Sequence, residues 1–184
     1  MKRSLFERLP LRVALSLAAA LLFSSSSSAE NPSSPRYSPE QASRILTLRN
    51  VGLAQLEEDR PKEARSTFAK LTNLVPGEAL PLANGAIAAL REKDLPGAEA
   101  LLAKGIALGD RADLYAIRAL LENERGRPAA ARAALERAAS LEPRDLESRW
   151  RFARSVETDP SASPAERTAR RARLAEIVAR SPSN

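Results

Sequence analysis

Residues 48–76 read LRNVGLAQLEEDRPKEARSTFAKLTNLVP, and their pattern decides the fold. Ile45, Leu48, Val51, Gly52, Leu53 and Leu56 recur at helical spacing, and the run stops near Glu58-Asp59. Pro61 reopens the chain as the first turn of a second helix, where a missing N–H leaves no bond unmade. Ala64, Phe68, Leu71 and Leu74 give that helix an apolar stripe, and Pro76-Gly77 ends it. The stretch is a helix–turn–helix hairpin.

The hairpin recurs. Ala64-x3-Phe68 before Pro76 returns as Ala98-x3-Leu102 before Asp110 and as Ala131-x3-Leu135 before Pro143, in steps of 34 and 33 residues. The second hairpin runs from about Glu78 to Leu108 and breaks at Asp94-Leu95-Pro96. The third runs from Arg111 to Leu141 and breaks at Gly126-Arg127-Pro128. One helix pair cannot bury its apolar face alone, so a repeat of this length predicts a stacked array.

These residues resemble the tetratricopeptide repeat (TPR) family, whose pattern is W-x2-L-G-x2-Y…A-x3-F…P. It stands here as Leu48-x2-Val51-Gly52-x2-Gln55…Ala64-x3-Phe68…Pro76, then Leu82-x2-Gly85-Ala86-x2-Ala89…Ala98-x3-Leu102, then Tyr115-x2-Arg118-Ala119-x2-Glu122…Ala131-x3-Leu135…Pro143. The second copy ends in Asp110 instead of proline, and the third has Arg118 ahead of its small residue. Gly52, Ala86 and Ala119 let the helices of each pair approach closely, as Ala64, Ala98 and Ala131 do from the other side. The likeness covers 45–143 well and 144–184 loosely. It implies an all-α solenoid of antiparallel helix pairs, about three and a half repeats, with residues 40–143 forming three pairs and 144–184 a degenerate fourth. Trp150, Ala153 and Val156 mark the first helix of that last pair, and Ser163-Pro164-x-Glu166 is a capping box for its second.

The resemblance also implies a concave groove lined by the first helix of each pair. Its positions here are Leu46, Arg49, Asn50, Leu53 and Leu56 in the first pair, and Leu80, Ala83, Asn84, Ile87 and Leu90 in the second. In the third they are Asp113, Ala116, Ile117, Leu120 and Asn123. Asn50 and Asn84, 34 apart, match the asparagine ladder with which some members hold a peptide backbone; Ile117 interrupts it. Two roles are open for these amides, gripping a ligand backbone or bonding within their own helix turn. The lysine-rich clamp for a C-terminal carboxylate is not matched, because leucine and isoleucine stand in its place. An apolar groove of this kind suits a peptide or amphipathic helix.

Upstream, Lys2, Arg3, Arg8 and Arg12 precede an apolar run from Val13 to Phe23, and Ser27-Ser28-Ala29 offers small residues for cleavage. Residues 1–29 therefore read as a secretory signal, with an uncleaved anchor as the alternative. Eleven apolar residues span roughly 17 Å of helix, short of a ~30 Å hydrocarbon core. A Ser/Pro-rich tether follows to residue 39, where Ser38-Pro39-Glu40-Gln41 starts the first helix. The expected location is the periplasm or the exterior.

The chain's 29 basic and 23 acidic residues fall unevenly. Four of the basic ones lie in the leader, residues 30–143 balance, and 144–184 carry nine arginines against six acids. The array has no basic stripe for a phosphate backbone. The arginines of the last helix read as a solvated cap, with an anionic-surface patch as the lesser alternative. No histidine or cysteine is present, so nucleophilic triads and ordinary zinc sites are excluded. Gly105-x3-Gly109 lacks the lysine-serine ending of a phosphate loop. Lys62, Lys70, Lys93 and Lys104 fall on hydrated faces, and Glu57-Glu58 sits at a helix end. No enzyme activity, small-molecule substrate or cofactor is expected. The expected function is a protein-interaction scaffold, either alone or as the opening segment of a longer exported polypeptide.

Overall fold

The computed structural model describes residues 36–159 and 162–180. The leader expected over 1–29 and most of the tether lie outside these residues, as does the Pro182-Ser183-Asn184 ending. The described residues form eight α-helices and no strand: α1 (Pro39–Glu57), α2 (Pro61–Leu74), α3 (Ala79–Arg91), α4 (Leu95–Leu108), α5 (Ala112–Glu124), α6 (Pro128–Leu141), α7 (Leu146–Glu157) and α8 (Pro164–Ala179). They pair as consecutive hairpins, and each pair packs on the next, giving an all-α repeat solenoid.

The helix boundaries follow local chemistry. At α1, Gln41 N–H donates to Ser38 Oγ (3.2 Å) while Ser38 N–H donates to Gln41 Oε1 (3.0 Å), a reciprocal cap repeated at α8 by Ser163 and Glu166. Proline opens α1, α2, α6 and α8. Within each of the first three pairs the chain reverses through one left-handed residue: Asp59 (φ 56°), Lys93 (φ 63°) and Gly126 (φ 70°). These fall 34 and 33 residues apart, so the backbone keeps the same period as the side chains. Only the third uses the residue that adopts this conformation freely.

Close approach then sets the packing. A Cβ on Gly52 would lie 2.7 Å from Cε1 and Cζ of Phe68, whose ring is fully buried. Ala86 and Ala119, at the equivalent points, are also buried, as are Ala64, Ala98 and Ala131 opposite. Between pairs, a Cβ on Gly105 would meet Leu114 at 2.8 Å, so this glycine serves contact between α4 and α5 inside the helix.

The fourth pair departs from the rule. Phe152 stands 33 residues after Ala119, so a large ring occupies the small residue's place. With Ser148 and Val156 it forms the buried stripe of α7, against Leu135, Ala139 and Ile177. Trp150, expected on that stripe with Ala153, is instead 54% exposed. The core face has rotated to the 148–152–156 row and turned the indole outward.

Ion pairs stitch successive repeats at one recurring level. Arg65 meets Asp94 (2.6 Å) and Glu92 (3.5 Å), Arg125 holds Glu99 in a two-point fork (2.7 and 2.9 Å), and Arg132 reaches Asp159 (2.8 Å). Residues 65, 99 and 132 are equivalent in the repeat, as are 92 and 125, with Asp159 one place beyond the next equivalent, and the sign of the stitch reverses at each step. Gly97 N–H and then Arg65 hold the Asp94 carboxyl below its ordinary range, and Arg125 does the same to Glu99.

The last helix is fastened similarly. Arg170 shares Asp159 with Arg132 (2.9 Å), Arg171 forks onto Glu157 (2.8 Å), Arg173 reaches Glu136 and Glu176 (2.8 Å each), and Arg167 caps the Ala162 carbonyl. These four arginines fasten α8, whose outer face stays largely exposed, with Ile177 its one buried residue.

Candidate docking face

The first helices α1, α3, α5 and α7 repeat one set of positions. Residues 46, 80, 113 and 146 form one row, 49, 83, 116 and 149 a second, and 50, 84, 117 and 150 a third, each with steps of 34, 33 and 33. Side chains three and four apart share a helix face, so the rows lie side by side. α3 contacts both α1 and α5, which makes these three first helices a continuous layer.

The expected groove residues divide by burial. Leu46 is 52% exposed and Asn50 is exposed, while Arg49, Leu53, Leu80, Ile87, Leu120 and Asn123 are half-buried. These remain reachable by a ligand. Leu56, Leu90 and Ile117 are not: each is under about a tenth exposed and belongs to the core. Leu56 packs with Phe68 and Leu71, and Leu90 with Ala98 and Leu102, because the last turn of a first helix leans on its partner. Ile117 packs beside Leu114 and Ala83. Ala83, Ala116 and Asp113 are likewise buried.

The polar groups here are few and specific. Asp113 is neutralised by Arg111, which donates from Nε (3.1 Å) and Nη2 (3.2 Å), and it accepts the Leu114 N–H (3.0 Å). Asn84 is 4% exposed, yet its amide has no hydrogen-bond partner among the described residues, and neither has that of Asn50. Neither amide is among the buried polar atoms left without a partner, so water reaches both, and a ligand backbone offering a donor and an acceptor could take that water's place.

Sequence reasoning missed the outward face of α7. Leu146 is 71% exposed, and the Arg154 guanidinium carbon lies 5.1 Å from the Trp150 ring centroid. The signal was present in the 33-residue step from Ile117 to Trp150, but a lone tryptophan reads first as core. Lys62, Lys70 and Lys104 are exposed, and no group of three or more acidic side chains is placed to hold a metal ion among the described residues. No described helix is long and apolar enough to cross a membrane.

No protein-family model matches the chain, and no curated protein does. Solved structures do. The first TPR domain of Spaghetti (RPAP3), bound to the HSP90 peptide SRMEEVD, is 22% identical with TM-score 0.55, covering 62% of this chain and 92% of that one. The second TPR domain of human RPAP3, in complex with the HSP70 peptide SGPTIEEVD, is 20% identical with TM-score 0.54, over 62% and 97%. MamA is 19% identical with TM-score 0.54, over 73% and 74%. At these identities the likeness establishes a TPR-like solenoid fold.

Proposed function

We propose that this protein is a non-enzymatic scaffold that docks a peptide or a partner helix along the layer formed by α1, α3 and α5. The observation that carries the proposal is the Asn84 amide. It is nearly buried, lacks a protein partner, and lies among the accessible apolar residues Leu53, Leu80, Ile87 and Leu120. Apolar side chains supply affinity to such a face, while an amide fixes the register of a ligand backbone without selecting its side chains. The solved neighbours with bound peptides support the reading by likeness of fold. Export to the periplasm or beyond belongs to the same proposal, and its support is the leader-like segment 1–29.

Peptides selected against the full-length protein from a random display library provide the test. Selected sequences, measured by fluorescence anisotropy, should lose about threefold to tenfold in affinity on Asn84→Ala, the worth of about one or two hydrogen bonds. Leu53→Ser and Leu80→Ser should weaken them further, with Asn84→Ala leaving the melting temperature unchanged. Selected peptides indifferent to all three substitutions would refute this placement.

A further inference from the structure

The outward face of α7 carries two large apolar side chains and an uncompensated positive charge. Leu146, Arg149, Trp150, Ala153 and Arg154 follow one another at helical spacing, with Leu146 71% and Trp150 54% exposed, and Arg144 lies in the turn before the helix. Four other arginines of this pair are neutralised, Arg151 by Glu147 and Arg170, Arg171 and Arg173 as described above. Arg144, Arg149 and Arg154 meet no carboxylate among the described residues, and Arg154 lies over the indole. The nearest acids are occupied. Asp145 caps the helix through the Glu147 and Ser148 N–H groups, and Glu147 is held by Arg151 (2.6 Å).

The same charge sense continues along the layer. Arg49 occupies the equivalent of Arg149 and also lacks an ion pair, while the one carboxylate in the three rows, Asp113, is held by Arg111. The three rows thus present cations at both ends and no free carboxylate between them. We propose that α7 is a subsite for an acidic peptide segment, one bearing a large apolar side chain between carboxylates. The apolar group would pack on Leu146 and Trp150, and the carboxylates would meet Arg149, Arg154 and Arg144. This deepens the docking function above and rests on it. An anionic bilayer would also attract tryptophan beside arginine, and the vesicle titration below separates it from an acidic peptide.

Trp150 is the only tryptophan in the chain, so its emission reports on this face alone. The full-length protein is titrated with DEDFELDE, amidated at its C-terminus, and with versions carrying serine or lysine at the acidic positions. The acidic peptide should shift the Trp150 emission saturably and bind at least about tenfold more tightly than the serine version. Its affinity should fall at least about threefold between roughly 50 and 300 mM NaCl. Arg149→Gln with Arg154→Gln should abolish the preference while leaving the circular dichroism unchanged, and Arg118→Gln should have no effect. Equal binding of the acidic, serine and lysine peptides would overturn the proposal. So would an emission shift obtained only with phosphatidylcholine vesicles containing about a third phosphatidylserine. Library-selected peptides that depend on Asn84 but neither shift Trp150 nor favour acidic residues would reject this subsite while keeping the wider docking function.

Discussion

Gly52→Leu is the sharpest test of the repeat register. The first side-chain carbon added at this position lies 2.7 Å from two atoms of Phe68 and 3.1 Å from a third. Carbon atoms rest about 3.5–4.0 Å apart, so the ring or the whole of α2 must withdraw by about 1 Å before the remaining atoms of leucine are placed. Phe68 is fully buried and has no free space to enter. Overpacking of this kind costs about 1–3 kcal/mol, and the better helix propensity of leucine returns less than about 1 kcal/mol. A net loss of about 2 kcal/mol lowers the melting temperature by roughly 4–8 °C in a chain of this size. Gly77→Leu is the control: nothing lies within 4 Å of its Cβ position, so the change should stay within about 0.5 kcal/mol. Phe68→Ala alone should cost about 3–5 kcal/mol by leaving a cavity. In Gly52→Leu/Phe68→Ala the leucine fills that cavity, so the double variant should be at least about 1 kcal/mol more stable than the two losses added. Thermal and urea unfolding of the four variants decide the matter. Additive losses, or identical melting of the two glycine variants, would refute the proposed apposition of α1 and α2.

Asp59→Gly should raise stability by about 0.5–1 kcal/mol in urea unfolding, because it relieves a left-handed backbone at an exposed turn. Asp159→Asn leaves Arg132 and Arg170 without their shared carboxylate and should cost about 2 kcal/mol, with amide exchange accelerated first in α8. Asp94, Glu99, Asp110 and Glu157 are all held below the ordinary carboxylate range, Asp94 chiefly by Gly97 N–H, Asp110 chiefly by the Tyr115 hydroxyl, and Glu99 and Glu157 by Arg125 and Arg171. Groups with depressed folded values stabilise fully above the unfolded value of about 4 and lose that contribution as pH falls through the folded one. Melting temperature should therefore be flat from about pH 5 to 8, since there is no histidine to titrate, and should decline below about pH 4. A step near pH 6.5 would contradict this.

The parts of the structure legible in sequence are those set by neighbours in the chain. Pro61 and Pro128 sit where helices start, Ser38 and Ser163 make the caps their spacing announces, and Gly52 opposite Phe68 follows from the repeat pattern. The illegible parts depend on which of two adjoining leucine-rich faces a residue joins. Leu53 and Leu56 differ by less than one turn, yet Leu53 stays accessible and Leu56 enters the core, because α2 closes over the end of α1. Trp150 was misplaced for a related reason. Phe152 filled the position reserved for a small residue, and the helix turned to bury it. The stitches were invisible for another: Glu99 and Arg125 are 26 residues apart and meet only once two pairs have stacked.

The reversing stitches have a consequence for assembly. Arg65 fits a pair presenting Glu92 and Asp94, Glu99 fits one presenting Arg125, and Arg132 fits one presenting Asp159. If the second pair were skipped, Arg65 would face Arg125; if the third were skipped, Glu99 would face Asp159. Either arrangement sets like charge against like at the closest point between pairs. Modules of similar shape in one chain are free to dock out of turn while they fold, and here a wrong neighbour is repelled at the contact that fastens the right one. The alternation works as a sequence of keyed joints, so the array carries its own order of construction.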